Sequence, residues 1–285
     1  MNTVGVIGGS GLYEMSGLTD VEAVGVTTPF GDPSDEYVCG TRGTTRFVFL
    51  PRHGRGHRIL PSELNFRANI YGMKKLGVEW LIGVGAVGSL REDIAPGHLV
   101  IPDQLIDRTY RRPSTFFGNG IVAHVSFADP FCPLLAGVLA HTAERLGVTV
   151  HPRGTYICME GPQFSTRAES FLYRQWGGDV IGMTNLQEAK LAREAEMCFA
   201  TLALATDYDC WHEVHADVVI ADVLRILSEN VVVAQKVIAE AVPQLHGPRT
   251  CECARALEHA IITDRSRIPD RVKNDLGIII GKYVG

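Results

Sequence analysis

The sequence predicts an α/β fold with a mainly parallel or mixed sheet, and three observations support that reading. Its second half alternates helical and extended patterns: RAESFLYRQWG, DVIGM, NLQEAKLAREAE, CFATLALATDYD. Strands that alternate with helices imply a sheet covered on both faces. Apolar residues make up 46% of the 285, enough for a sizeable core, against 21% charged residues. Glycine turns and short polar segments, GGSG, RHG, GAVGS, GMTN and ATDYD, fall at the expected strand ends, where open α/β sheets collect their sites. Length alone permits one large domain or two small ones.

Taken in order, TVGVIGGSG reads as a strand closed by a glycine turn, and YVCGTRGTTRFVFLPRHG as a hairpin whose second strand enters a basic loop. PSELNFRANIYGMKKLG opens on Pro-Ser-Glu and stops at Gly77. It places Leu64, Ala68 and Tyr71, then Phe66, Ile70 and Met73, at helical spacing. EWLIGVGAVGSL and HLVIPDQLID follow as strands, and PLLAGVLAHTAERLG as a helix ended by Gly147. DVVIADVLRILSENVVVAQKVIAEAVPQL is a long helix with Val219, Ile220, Val223, Leu224 and Leu227 on one face. HGP at 246–248 marks a boundary before a small C-terminal appendage.

A net charge of −5 with scattered basic residues argues against nucleic acid, since PRHGRGHR and DRTYRRP are short and separated. The N-terminal MNTVGVIGGSG lacks the features of a signal peptide, and no run approaches 18 apolar residues. A cytoplasmic protein without membrane contact is expected. Seven dispersed cysteines do not resemble a disulfide framework. Cys251 and Cys253 form a CEC pair that is a strained disulfide, a metal ligand pair or two unpaired thiols.

GGSG after a first strand invites a dinucleotide reading, but Glu14 stands where the third glycine belongs. GVGAVGS fails as a phosphate loop because Ser89 occupies the lysine position. What survives is a glycine turn that aims N–H groups at an anion, or a plain turn. Arg52 and His53 can bring charge and hydrogen bonds to a phosphate or ribose hydroxyl, or lie in a solvated loop. HGRGH is no metal site, because its glycines oppose the helix that would align the two histidines. Asp207 and Asp209 close an apolar strand. In extended chain they share a face, about 7 Å apart at Cα. Two like charges in one cavity raise at least one pKa, which suits a general acid; the alternative is a helix cap or outward ion pairs.

Read together, GVIGGSGLY, TPFGDPSDEY, PRHGRGH, PSELNFRANIY, GSLREDIAPG, DQLIDRT, PFCP, EGPQFSTRAES and GMTNLQEAKLAREAEMCFATLALATDYDCW resemble 5′-methylthioadenosine phosphorylases of the purine nucleoside phosphorylase superfamily. The likeness covers residues 1 to about 245, the nucleoside phosphorylase domain. Residues 246–285, a helical extension with the CEC pair packed on the same domain, resemble the longer archaeal-type members. The resemblance implies a single α/β domain, a twisted mixed β-sheet flanked by helices, assembled as a homotrimer or homohexamer. It implies phosphorolysis: inorganic phosphate, a co-substrate, attacks C1′ as the purine leaves, with no metal or organic cofactor.

By the same resemblance Ser10, Arg52, His53, the Ala86 backbone and Thr184 would hold phosphate, and Met183 would lie under the ribose. Phe164 and Ser165 would border the base, Asp207 would serve purine N7, and Asp209 would accept from the 6-amino group, favouring adenine. Ile220, Val223 and Leu224 would form a 5′-methylthio pocket, with His124 reaching in from a neighbouring subunit. Those three aliphatics also suit the core face of any amphipathic helix. Two residues depart from the mammalian-type pattern: Gly85 stands for a threonine and Gly182 for an asparagine. A broader purine nucleoside phosphorylase and a non-catalytic nucleoside-binding protein are the rival readings.

Overall fold

A computed structural model describes residues 2–212 and 220–284, without the side chains of Ser10 and of residues 220–224. The strands are β1 (Asn2–Gly8), β2 (Thr19–Val24), β3 (Tyr37–Arg42), β4 (Thr45–Pro51), β5 (Trp80–Ser89), β6 (Leu99–Val100), β7 (Gln104–Arg108), β8 (Val150–His151), β9 (Thr155–Met159), β10 (Val180–Gly182) and β11 (Cys198–Asp207). The helices are α1 (Phe66–Lys75), α2 (Pro133–Arg145), α3 (Arg167–Gln175), α4 (Asn185–Glu194), α5 (Ile220–Ala241), α6 (Asp270–Asp275) and α7 (Gly277–Val284).

β1, β5 and β11 are near-continuous apolar runs, as strands buried on both faces require. On one face Ile7 and Leu81 pack with Ile70 and Met73 of α1 and Leu191 of α4. On the other, Val4, Val6 and Ile82 pack with Leu135 and Leu139 of α2 and Val237 and Ile238 of α5. The result is one α/β domain on a mixed sheet, ordered β2-β3-β4-β1-β5-β10-β9-β7, with β11 and β6 branching from β5. Beyond α5, Leu257, Ile268, Leu276 and Ile280 join the first of these cores. Among the described residues no helix is long and apolar enough to cross a membrane.

β5 pairs with β11 from Trp80 to Gly88 along one edge. Along the other it pairs in parallel with β1 only up to Gly83, and antiparallel with β10 only from Gly88. Residues 84–87 therefore lie in a gap between two neighbours, a version of the switch point at which α/β sheets open to ligands.

Several expected elements are corrected. EWLIGVGAVGSL forms a strand as expected, but GAVGS, also expected as a turn at its end, is the second half of β5, because β11 pairs with it as far as Gly88 and β10 takes up Gly88 and Ser89. HLVIPDQLID splits into β6 and β7 at Pro102, which cannot donate to a ladder. The helix expected from Pro61 is a short 3-10 turn, and α1 starts at Phe66, where the Asn65 side chain accepts from the Ala68 N–H. The long helix ends at Ala241 and continues as a 3-10 turn through Pro243. β2, β8 and β9 are additional strands. Residues 217–219, read as the start of the long helix, lie outside the described residues.

Candidate active site

At the gap in the sheet, residues that would otherwise be sealed are half-exposed: Gly85, Ala86, Gly182, Met183 and Thr184 interrupt buried runs. The floor is held by Arg52, which is 5% exposed and so no part of a solvated loop. Its Nε and Nη2 donate to the Glu188 carboxylate at 2.5 and 2.9 Å. Nη1 donates to the Val84 carbonyl and Nη2 also to that of Ile7. Of the five N–H groups of a guanidinium, those four bonds leave one among the described residues, on Nη1, which lies 3.7 Å from where a Gly85 Cβ would sit. Burial alone would lower the Arg52 pKa, but Glu188 outweighs it and holds the guanidinium charged. A buried pair of this kind fixes geometry more than it adds stability.

His53 lies half-buried beside Arg52, with its ring stacked 4.3 Å from that of His57. Burial pushes its pKa down to about 4, so the ring is neutral at pH 7. Its Nδ1 is 2.8 Å from the Ile59 carbonyl. A carbonyl can only accept, so Nδ1 carries the proton and Nε2 is an acceptor.

The acids stand on the neighbouring strand, and their geometry differs from the extended arrangement expected. Thr206 is the extra residue of a β-bulge, and Asp207, paired with Gly88, is the last residue of β11. Asp209 lies beyond the strand with φ +52°, a left-handed conformation that Asp tolerates better than most residues. The two are linked directly, since the Asp209 N–H donates to Asp207 Oδ1 at 2.8 Å and Thr206 Oγ1 donates to Oδ2 at 2.7 Å. Burial raises the Asp207 pKa against those two bonds. Asp209 is 7% exposed, and burial raises its pKa too, with the Asp207 charge acting in the same direction against nearby serine hydroxyls. Among the described residues Asp209 Oδ2 has no hydrogen-bond partner. A Cβ on Gly88 would sit 3.0 Å from Asp207 Oδ1 and 3.3 Å from Asp209 Cβ, so both acids close over that glycine. Neither forms an outward ion pair among the described residues.

A third wall comes from residues 160–165. A Cβ on Gly161 would fall onto Met183 Sδ, the Cys210 thiol donates to the Ser165 carbonyl at 3.3 Å, and Ser165 Oγ lies 3.8 Å from Met159 Sδ. Phe164 is 53% exposed. Thr184 is the N-cap residue of α4 but makes no side-chain cap bond. The sequence reading missed three residues here. Glu188 and Arg112 are buried charges in stretches read as an ordinary helix and a scattered basic run. Arg112 donates to the Met183 and Glu160 carbonyls and to the Glu160 carboxylate, tying the end of β10 to that of β9. Tyr156 is the third: a Cβ on Gly182 would fall onto its hydroxyl, so tyrosine fills the space where the mammalian-type pattern has asparagine. Gly85 is different, since its Cβ position meets only Arg52 Nη1 at 3.7 Å.

His124 is not brought to this site within the chain. It is exposed, with its N–H bonded to the Ala260 carbonyl, and lines a groove of about 620 Å³ against the C-terminal segment. The side chains of Ser10, Ile220, Val223 and Leu224 lie outside the described part.

A profile of the phosphorylase superfamily matches residues 3–243, and the chain belongs to that family. Among curated proteins it is 62% identical over 282 residues to the S-methyl-5′-thioadenosine phosphorylase of Geobacter sulfurreducens, covering 99% of each chain. Its structure resembles a methylthioadenosine phosphorylase from an Antarctic soil metagenomic library, with TM-score 0.93, 47% identity and 98% of each chain covered. A mutant adenosine/methylthioadenosine phosphorylase from Schistosoma mansoni, crystallised with methylthioadenosine, matches with TM-score 0.83 and 36% identity over 90% of this chain and 96% of that one.

Replacing Glu188 with Gln leaves the buried Arg52 charge without a counterion. Loss of one partner of such a pair costs about 3–5 kcal/mol, so Glu188→Gln is expected to lower the urea midpoint well below that of wild type. An unchanged midpoint would show that Arg52 does not depend on Glu188.

Proposed function

We propose that the protein catalyses phosphorolysis of 5′-methylthioadenosine to adenine and 5-methylthioribose 1-phosphate. The observation that carries this reading is a carboxyl pair, Asp209 buried and Asp207 half-buried, with one oxygen unpartnered among the described residues, beside strand backbone that lies between two neighbouring strands. The first part suits a purine edge and the second an anion. Relatives that match along the whole chain and carry the name S-methyl-5′-thioadenosine phosphorylase support the substrate.

Phosphate occupies the gap, taking hydrogen bonds from the Ala86 backbone, Thr184, Ser10 and the remaining Arg52 N–H. His53, neutral and with Nε2 as acceptor, takes a hydrogen bond from the phosphate OH or a ribose hydroxyl rather than supplying charge. Met183 lies under the ribose, and Phe164 and Ser165 border the base. As the C1′–N9 bond breaks, its electron pair moves into the purine, and Asp207 neutralises the developing charge at N7 by hydrogen bond or proton. A phosphate oxygen then bonds to C1′. Anion on one face and neutralised base on the other stabilise the same oxocarbenium-like transition state. Phosphate supplies the nucleophile and Asp207 the acid, so the chemistry requires no metal or organic cofactor.

Asp209 Oδ2 accepts from the 6-amino group. The 5′ pocket is assigned to Ile220, Val223 and Leu224, with His124 arriving from another copy in a trimer or hexamer of a cytoplasmic enzyme. Exposed Val122 and Ile262, beside His124 and its paired segment, suit such a contact.

Adenine release from 5′-methylthioadenosine should require phosphate, and kcat/KM should exceed that for inosine. Release without phosphate, or no release at all, contradicts the proposal; equal or better inosine turnover favours the broader nucleoside phosphorylase. Asp207→Asn should lower kcat by about 10²- to 10⁴-fold with the fold intact. Because burial raises the Asp207 pKa, its acid form persists to higher pH than in water. The wild-type rate should fall as pH rises through that pKa, and this limb should vanish in the variant; an unchanged rate would remove Asp207 from its role. Asp209→Asn should raise the inosine to adenosine ratio, because an amide can donate to a 6-oxo group. A ratio that does not move means that Asp209 does not read position 6.

A further inference from the structure

Four of the seven cysteines meet at one point that the proposed reaction does not use. Cys132 is the residue before α2, Cys198 begins β11, and Cys251 and Cys253 come from the C-terminal segment. Their four Sγ atoms all lie within 4.8 Å of one another. Cys251 Sγ is 3.7 Å from that of Cys132 and 3.3 Å from that of Cys198. A tetrahedral zinc ion with Zn–S bonds of about 2.3 Å sets its sulfurs about 3.8 Å apart, so the thiols already stand close to a coordination tetrahedron.

From this geometry we infer that Cys132, Cys198, Cys251 and Cys253 form a structural tetrathiolate zinc site. Disulfides need only pairs of sulfurs in contact, whereas here Cys251 approaches two partners at once and all four are mutually close. A single ion satisfies every one of them. Four thiolates with no nitrogen or oxygen ligand select zinc among the divalent ions that need a closed site. Cys132, Cys198 and Cys253 are buried and Cys251 is half-exposed, a closed shell with one open side. That side opens on the groove of about 620 Å³ lined by Cys251, Cys253, Arg193 and His259, which provides an entry path. On binding, the thiols lose their protons to solvent and no electron is transferred. The Arg193 charge, which lines the same groove, offsets part of the negative charge of the complex.

The ion would have no part in phosphorolysis. Cys198 and Asp207 stand at opposite ends of β11, about 30 Å apart at the usual rise per residue. Its effect is to fasten the C-terminal segment, through Cys251 and Cys253, to a loop and a strand of the sheet.

The test is metal content and spectroscopy on the full chain. Protein purified without chelator should contain about one zinc per chain, and Cys251→Ser/Cys253→Ser should contain none, while Cys39→Ser, elsewhere in the core, should keep it. Reduced, metal-free wild type titrated with cobalt(II) should develop thiolate charge-transfer absorption and tetrahedral ligand-field bands that saturate at one equivalent and are displaced by zinc. This readout does not depend on the variants folding. Absence of those bands overturns the site. So does zinc retained in the double variant, or a non-reduced, denatured mass of freshly isolated protein that shows these cysteines paired as disulfides.

Discussion

Halfway along β5 the strand changes neighbours, leaving β1 at Gly83 and taking up β10 at Gly88, and the site depends on that exchange. Backbone N–H and C=O groups cannot be left unpaired in a core without cost. Something must serve residues 84–87. Arg52 does so in part, by donating to the Val84 carbonyl, and Glu188 holds it there. What is left of that edge faces the half-exposed strip of Ala86, Met183 and Thr184, and the chemistry proposed for phosphate uses it.

The electrostatics of the cleft follow from the same arrangement. Arg52 is already balanced by Glu188, and burial holds His53 neutral. The cleft therefore offers an anion oriented dipoles and few net positive charges. Preorganised dipoles in a partly desolvated site stabilise developing charge without having to reorient. On the side proposed for the purine the polarity is reversed. A buried and a half-buried carboxyl, linked through the Asp209 N–H, have pKa values pushed upward by their surroundings, which is how a carboxyl group is kept able to donate.

Much of this was legible in the sequence because it is local. Hydrophobic period and glycine punctuation located β1, β5, β11, α2 and α4, and the GMTN and ATDYD segments do lie at the ends of β10 and β11. Other features depend on pairing between distant segments and leave no local trace. The branch at β5 cannot be inferred from its own residues, so EWLIGVGAVGSL reads as a strand without any sign that its second half changes neighbours. The bulge at Thr206 and the left-handed Asp209 replace the regular strand that alternation suggests. Arg112 and Glu188 do not stand out in the sequence because their partners, the Met183 carbonyl and Arg52, are 71 and 136 residues away. Gly182 signalled a departure, but only the position of Tyr156 explains it.

The most direct measurement is a crystal structure of the protein with adenine and phosphate bound together. The account predicts phosphate within hydrogen-bond distance of the Ala86 backbone N–H, and purine N7 within hydrogen-bond distance of Asp207 with the 6-amino group on Asp209. Adenine bound elsewhere, for example in the groove beside His124, or phosphate away from the β5 gap, would contradict it.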